Sequence, residues 1–349
     1  MTDLDQRIAS TLRERAEGAV DTDLLTSRAV SAGRARRRRR RVGAGAALAL
    51  VAALGFGAAT GGALPVPTPW PHVAPAAAPV APPPAPDAPV AAVSPELVGT
   101  DAGVLHLGVD TTRARYLGWE SGRGVESVLV EVAGGRRVAI DVAPGPAEVE
   151  QARHEGMIYG PDRTASADFD GQVERLPPAG PGGEPGWVVR LRIGPLHARV
   201  TTVGPDDTAV RTAVGALRMD RAHRCPAPLR LTTLPADAFL ARCAVNVVNF
   251  PDSVDVTLTV GAPGEKLMDV RLERHSEFDG GRATGNRTIG GRPAHLHPGG
   301  EELELLGIPK AHLTARFGRP GQGFTESDAA LVLGGARIAD DLTRPESWD

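Results

Sequence analysis

The sequence predicts an α+β protein, with one N-terminal transmembrane helix followed by a tandem-duplicated domain of antiparallel sheets, each packed by one or two helices. Three observations lead to this prediction. An uncharged apolar tract covers residues 42–64. Segments of the chain beyond it match one another in the same order, which indicates an internal repeat. Within each repeat, alternating apolar and polar residues precede a helical pattern, which indicates strands followed by a helix.

The composition limits the core and shows how charge is distributed. Aromatic residues make up only 4% of the 349 residues, so the core must consist of valine, leucine, alanine and isoleucine. Residues 1–41 contain eleven arginines and six acidic residues, a net charge of +5, although the whole chain carries −3. A short basic head on an acidic body is typical of a chain with a charged partner or a membrane attachment.

The tract at 42–64 has the length of a transmembrane helix. It would extend about 34 Å as a helix, against about 30 Å of hydrocarbon in a bilayer. Arginines precede it and none follows before Arg113, so the N-terminus would stay in the cytoplasm. The expected localisation is the cell membrane, single-pass, with a cytoplasmic N-terminus and an extracytoplasmic C-terminal domain. The membrane-flanking basic residues are Arg36, Arg37, Arg38, Arg39, Arg40 and Arg41.

Two functions other than a membrane anchor would also explain this basic and apolar region. A secretion signal that is removed after export has a similar apolar tract, although its basic region is ordinarily far shorter than residues 1–41. Nucleic-acid binding also needs arginines, but no aromatic residue lies among them. We therefore expect contact with membrane lipid and no nucleic acid. A Pro/Ala-rich linker at 65–96 leads to two domain repeats, at 97–222 and 223–349.

The cytoplasmic head, residues 1–41, contains an amphipathic helical pattern. Leu4, Ile8 and Leu12 recur four residues apart, so they would form an apolar stripe on one face of a helix. Such a stripe can fill the groove of a partner protein. A frayed tail, or a helix lying on the inner leaflet, is the alternative, because about 35 residues cannot form an independent core.

Three pairs of matching segments define the repeat. The pairs are 105–119 with 229–243, 126–135 with 252–261, and 214–219 with 333–338. Apolar residues alternate in the second pair, as at Val128, Val130 and Val132, which predicts a half-buried strand. Each unit is expected to end in a capped helix, beginning near Asp206 in the first unit and near Thr325 in the second.

The two cysteines of the chain, Cys225 and Cys243, lie at the join of the repeats. An even number of cysteines in an oxidising compartment favours a disulfide over two free thiols. Closing this loop would stabilise the fold by about 3 kcal/mol. The sequence therefore predicts a disulfide that braces the start of the second unit.

The order of these features resembles a family of actinobacterial single-pass membrane proteins. Its members have a short N-terminal segment like DLDQRIASTLRERAEG, an arginine cluster, one span, a Pro/Ala linker and a small α+β extracytoplasmic domain. Many of them resemble anti-sigma factors, so the resemblance implies a sigma factor as the cytoplasmic partner. Zinc-containing anti-sigma domains hold their metal with one His and two Cys, and residues 1–41 contain neither residue type.

Catalytic motifs are not recognisable in the sequence. It lacks a G-x-S-x-G nucleophile elbow, an H-E-x-x-H helix and a P-loop. His295 and His297 could share a strand face and contact a metal with Glu301 or Glu302, but exposed loop histidines are the simpler interpretation. We therefore predict that the protein is not an enzyme and has no catalytic residues, no cofactor and no metal.

The function predicted from these features is ligand binding. The duplicated extracytoplasmic domain would bind or sense a ligand of the envelope, and the head would regulate a cytoplasmic partner such as a sigma factor. Two alternatives are a passive membrane-anchored surface protein with no signalling role and, with less support, an envelope hydrolase.

Overall fold

The computed structural model describes residues 80–154, 157–160, 168–278, 284–318 and 323–348. They belong to one compact unit of the chain, Pro75–Asp349. The predicted head with its stripe of Leu4, Ile8 and Leu12, the arginines 36–41, the span at 42–64 and the first part of the linker lie outside the described residues.

Nineteen strands and three α-helices are present in the described residues. The strands are β1 Val104–Leu105, β2 Gly108–Val109, β3 Ala114–Gly122, β4 Val125–Val132, β5 Arg136–Ala143, β6 Asp170–Leu176, β7 Gly186–Ile193, β8 Leu196–Val203, β9 Leu217–Arg218, β10 His223–Arg224, β11 Leu229–Leu231, β12 Phe239–Asn246, β13 Ser253–Ala262, β14 Lys266–His275, β15 Arg287–Ile289, β16 Arg292–Leu296, β17 Glu302–Leu305, β18 Ala311–Arg316 and β19 Ala336–Ile338. The helices are α1 Pro146–Gln151, α2 Thr208–Ala216 and α3 Glu326–Gly334, with 3₁₀ turns at Pro95–Leu97 and Pro345–Ser347.

Strand pairing dominates this structure, and the predicted α+β fold class is wrong. Of the described residues, 43% are in strands and 12% in helices. Thirteen strands of this part of the chain form one antiparallel sheet instead of a separate sheet in each repeat. The physical reason is that β3 and β12, which would have been exposed edges of two sheets, hydrogen-bond to each other. Their pairing leaves neither edge open.

The two halves of the large sheet follow the same path. The strand order is β15-β16-β17-β18-β14-β13-β12-β3-β4-β5-β8-β7-β6. We call the central β12–β3 pair the seam. In each half the first three strands lie in chain order from the seam outward, the chain then crosses to the far edge of the sheet, and the next strands lie in order back toward the third strand. A helix follows the last strand of each half, α2 after β8 and α3 after β18. The proposed boundary between 222 and 223 stays a prediction.

One face of the sheet carries the hydrophobic core. Every second residue of the central strands is buried there, for example Val128 and Val130 in β4 and Val256 and Leu258 in β13. Helices α2 and α3 pack on the sheet at this face. The buried residues of both helices belong to one hydrophobic cluster with apolar residues from both halves. The core is therefore continuous across the seam.

A capping box begins the second of these helices. Thr325 Oγ1 accepts a hydrogen bond from the Asp328 N–H at 3.2 Å, and Asp328 Oδ2 accepts one from the Thr325 N–H at 2.9 Å. These bonds satisfy two N–H groups that have no partner within the helix. The predicted helix start near Thr325 is confirmed.

A buried carboxylate on the core face holds the segment that precedes β3. The Glu126 side chain is fully buried and accepts hydrogen bonds from the N–H groups of Gly99 (3.1 Å), His106 (2.6 Å) and Leu107 (2.8 Å). His106 Nδ1 lies 2.6 Å from the same carboxylate. One side chain of β4 therefore satisfies three backbone donors of a segment about 20 residues upstream.

The predicted disulfide is confirmed. The sulfur atoms of Cys225 and Cys243 are 2.14 Å apart and their Cα atoms 6.1 Å apart. Both residues are fully buried. The bridge connects the segment after β10 to β12, the seam strand of the second half.

The predicted localisation is contradicted by the helices that the structure contains. The longest α-helices among the described residues, α2 and α3, have nine residues each. None in this part of the chain combines the length and the apolar character needed to cross a bilayer. This finding counts against a single-pass membrane protein, and that prediction is wrong. The tract on which it depended, 42–64, lies outside the described residues.

Candidate ligand-binding cleft

The sheet face opposite the core is polar near the seam and forms an open cleft. Side chains that alternate with the core residues point to this face, because successive residues of a strand lie on opposite sides. The cleft has a volume of about 720 Å³ and spans β3, β4, β12, β13 and β14. Its titratable lining consists of Glu120, Asp255, Asp269, Glu273, Arg242, Arg271 and His154. Four carboxylates thus outnumber two guanidinium groups.

An ion pair crosses the seam at the floor of the cleft. Arg242 of β12 donates from Nε to Glu120 Oε1 at 2.5 Å and from Nη2 to Glu120 Oε2 at 2.7 Å. This geometry is bidentate, which is the strong form of an arginine–carboxylate contact. The hydrogen bonds that Arg242 donates to Glu120 raise the pKa of Arg242 above its ordinary value. The pair neutralises two of the charges in the cleft and fixes the seam strands side by side.

Two carboxylates of the cleft lie opposite each other on adjacent strands. Asp255 of β13 is paired in register with Glu273 of β14. Partial burial, followed by the charge of Glu273, raises the pKa of Asp255, while His275 and Arg271 lower it. Arg271 Nη1 is 3.9 Å from Glu273 Oε1, at the limit of an ion pair. The cleft therefore contains negative charge that nearby cations balance only in part.

A buried aspartate, Asp141, lies behind a histidine that lines one wall of the cleft, His154. Asp141 Oδ1 accepts a hydrogen bond from Ser127 Oγ at 2.7 Å and lies 2.7 Å from His154 Nε2. Asp141 Oδ2 accepts a hydrogen bond from Arg199 Nη2 at 2.8 Å. The carboxylate of Asp141 is fully buried, whereas 15% of the His154 side chain is exposed. His154 is therefore the member of this cluster that meets solvent in the cleft.

The electrostatics of this cluster favour the charged forms of both partners. Burial by itself would raise the pKa of Asp141, but hydrogen bonding and charge from His154, with Arg199 and Ser127, hold it below its ordinary value. Burial likewise opposes the charging of His154, but hydrogen bonding and charge from Asp141, with the charge of Glu120, raise its pKa above 6.5. Each group therefore stabilises the ionised form of the other.

A chain of buried ion pairs continues from this cluster beneath α1. Arg199 Nη1 is 3.6 Å from Glu150 Oε2, and Arg190 Nε donates to Glu150 Oε1 at 2.6 Å. The Arg199 guanidinium also lies over the ring of Tyr159, 4.7 Å from its centroid. Arg190 Nη1 further donates to Glu174 Oε2 at 3.0 Å. These contacts attach the chain around α1 to the polar face of the sheet in the first half. They also pair the buried charges of that face with one another.

The cluster contains a serine, an aspartate and a histidine, but its order differs from that of a nucleophilic triad. In a triad the imidazole lies between the hydroxyl and the carboxylate and takes the proton of the hydroxyl. Here Ser127 Oγ donates directly to Asp141, and the His154 Nε2 contact is to the same carboxylate. The arrangement therefore supports fixed charge at the wall of the cleft better than nucleophilic catalysis.

His295 and His297, which the sequence offers as possible metal ligands, lie at the end of β16 in the second half of the sheet. His297 Nε2 is 3.1 Å and His312 Nδ1 2.6 Å from the buried carboxylate of Glu304. His295 Nδ1 instead contacts the carbonyl oxygen of Thr284 at 2.9 Å. Within the described ranges, no three His, Cys, Asp or Glu side chains are placed to hold a metal ion.

Sequence reasoning did not identify the cleft. The lining residues of the cleft, His154 among them, belong to no motif in the sequence, and neither do Asp141 and Arg199 of the cluster behind His154. A signal for the last two was present. Asp141 lies within the apolar strand RRVAIDVA and Arg199 within LHARVTTV, and charged residues are rarely buried unless they are paired.

Comparison of the chain with protein-family models, with curated protein sequences and with solved structures gave no match. The resemblance to proteins of the anti-sigma type stays a prediction.

Proposed function

We propose that this chain is a binding protein whose seam cleft takes an organic cation, a ligand with a primary amine or guanidinium group. The opposed carboxylates of Asp255 and Glu273 carry the proposal. Like charges directly opposite on neighbouring antiparallel strands destabilise a sheet. A cation bound between these carboxylates would replace that repulsion with attraction.

The surroundings of this pair support a cationic ligand. In the described part of the chain Asp255 forms no ion pair, and Glu273 has only the 3.9 Å contact with Arg271. Asn246, in register with Asp255, and Thr257 add neutral hydrogen-bonding groups to the same cleft. The volume of about 720 Å³ lies within the usual range of small-molecule sites, about 300–1,000 Å³.

Binding without chemistry fits the site better than catalysis. The imidazole of His154 and the hydroxyl of Ser127 are both engaged by Asp141, so neither activates the other. The prediction that the protein is not an enzyme therefore becomes part of this proposal. Regulation of a sigma factor stays a prediction, because the stripe on which it depends lies outside the described residues.

Isothermal titration calorimetry at low ionic strength tests the proposal with putrescine and arginine amide as probes and butyrate as the anionic counterpart. We expect both cations to bind and butyrate not to bind. Replacing both acids (Asp255→Asn with Glu273→Gln) should weaken cation binding by about tenfold or more, since a hydrogen bond to a charged group contributes about 1.5–3 kcal/mol.

Asp87→Asn is the matched control, because Asp87 is exposed and has no ion pair in the described part of the chain. It removes one carboxylate outside the lining of the cleft, against two in the double variant, and should leave affinity unchanged. The proposal is wrong if neither cation binds the natural chain, or if the double variant binds them as tightly as the Asp87 variant does.

A further inference from the structure

A second cleft, which we call the basic cleft, lies beside the core-side helix of the second half. It has a volume of about 600 Å³ and shares no lining residue with the seam cleft. Its walls are the loop 307–310 between β17 and β18, strand β19, and the chain 339–343 that follows it. Four cationic residues line it: Arg274, Arg292, Lys310 and Arg337.

The positive charge of the basic cleft is largely uncompensated. Arg292, Lys310 and Arg337 have no ion-pair partner in the described residues. Arg274 is only 9% exposed, and its Nη1 donates to the carbonyl oxygen of Pro251. The carbonyl carries no charge, and Asp341 balances the charge of Arg274 only in part, because Arg344 interacts with the same carboxylate more strongly.

The two acids at the cleft do not cancel these cations. Asp341 is engaged locally: its Oδ1 accepts hydrogen bonds from the N–H and Oγ1 of Thr343 at 2.8 and 2.6 Å, and Arg344 Nε lies 3.4 Å from its Oδ2. Asp340 is the other acid of the lining. Four cations against two acids leave the cleft with a net charge of +2.

The backbone at Lys310 adds an independent observation. Its φ angle is 55°, in the left-handed region that lysine adopts rarely and that glycine and asparagine tolerate well. Its carbonyl oxygen accepts a hydrogen bond from the His275 N–H at 3.2 Å, which holds the loop to β14. A lysine kept at a strained position beside three arginines is typical of a functional site, where the charge of the side chain matters.

We propose that the basic cleft binds a small organic dianion, a phosphate monoester or a dicarboxylate with an apolar group. The net charge of +2 matches a dianion, and guanidinium groups match the oxygen spacing of carboxylates and phosphates. The remaining lining includes Ile308, Pro309 and Ile338, against which an apolar group can pack. This site is separate from the seam cleft and does not depend on the function proposed for it.

Calorimetry on the complete 349-residue chain tests the site with phenyl phosphate, phenylsuccinate and inorganic phosphate as probes. We expect one of the two phenyl compounds to bind at least tenfold more tightly than inorganic phosphate, and the tighter one identifies the anionic group. Arg292→Gln combined with Arg337→Gln should weaken that binding at least tenfold. Arg192→Gln, an exposed arginine without an ion pair on β7, is the matched control and should change nothing.

Lys310→Asn keeps the test decisive if the double variant does not fold. Asparagine tolerates the left-handed backbone, so this variant loses the charge without losing the loop conformation, and we expect affinity to fall several-fold. The proposal is overturned if neither phenyl compound binds the natural chain, or if binding is equal in the Lys310 and Arg192 variants. Replacing Asp255 and Glu273 of the seam cleft should leave binding of the tighter phenyl compound unchanged, and a loss of that binding would also overturn the assignment.

Discussion

Replacing Glu126 with glutamine tests whether one buried carboxylate holds the segment before β3 to the sheet. Glu126 accepts hydrogen bonds from the N–H groups of Gly99, His106 and Leu107, all at 3.1 Å or less. Glutamine has nearly the same shape but only one acceptor oxygen. Its amide N–H₂ group would therefore face at least one backbone donor, which would be left buried without an acceptor.

The size of the effect follows from this count of bonds. A hydrogen bond to a charged group contributes about 1.5–3 kcal/mol, so the loss of one or two gives a destabilisation of about 2–5 kcal/mol. This is a large part of the stability of an ordinary domain, about 5–15 kcal/mol. Glu131→Gln is the matched control on the same strand. Its pair with Arg115, at 3.3 Å, is partly exposed and should contribute less than about 1 kcal/mol.

Urea denaturation followed by tryptophan fluorescence measures this difference, because Trp119 is buried in the same hydrophobic cluster as Leu105 and Leu107 of the affected segment. We expect the midpoint of the Glu126 variant to fall well below that of the natural chain, while that of the Glu131 variant stays close to it. If the two variants unfold at the same urea concentration, the carboxylate does not anchor the segment and the reasoning fails.

Three further predictions concern the seam cleft, the buried cluster and the disulfide. Asp255→Asn should raise the free energy of unfolding by about 0.2–1 kcal/mol, because it removes repulsion from Glu273, and a lower melting temperature would contradict this. The folded-state pKa of His154 is raised, so its contribution to stability should be complete below about pH 6.5 and lost as the pH rises through the folded-state pKa. His154→Gln should lose this part of the pH dependence of the melting temperature, and an unchanged pH profile would refute the assignment. Replacing Cys225 and Cys243 with serine should lower stability by about 3 kcal/mol in urea titrations, and equal midpoints would show that the bridge contributes little.

Much of the local structure follows from patterns of neighbouring residues. The alternating valines predict strand β4, and the capping residues predict the start of α3, because strand and helix signals extend over only a few residues. The disulfide was predictable for a different reason: with two cysteines there is only one intramolecular pairing. None of these patterns depends on how distant segments meet.

The cleft could not be predicted from such local patterns, because its residues are brought together by contacts between distant parts of the chain. His154 and Asp141 are 13 residues apart, and Asp141 and Arg199 are 58 residues apart. Arg242 and Glu120 are separated by 122 residues and meet only because β3 pairs with β12. A sequence shows that a charged residue lies in an apolar strand, but its partner is chosen by the register of the sheet.

The sequence by itself determined the periodicity of the strands, the helix start at Thr325 and the one cysteine pair, because short-range geometry and counting decide them. Tertiary structure decided that the halves share one sheet instead of forming two. That outcome depends on backbone hydrogen bonds between β3 and β12, and backbone groups are the same in every residue except proline. Side-chain patterns therefore identified the strands but not their partners, and with the partners came the seam cleft and its unbalanced carboxylates.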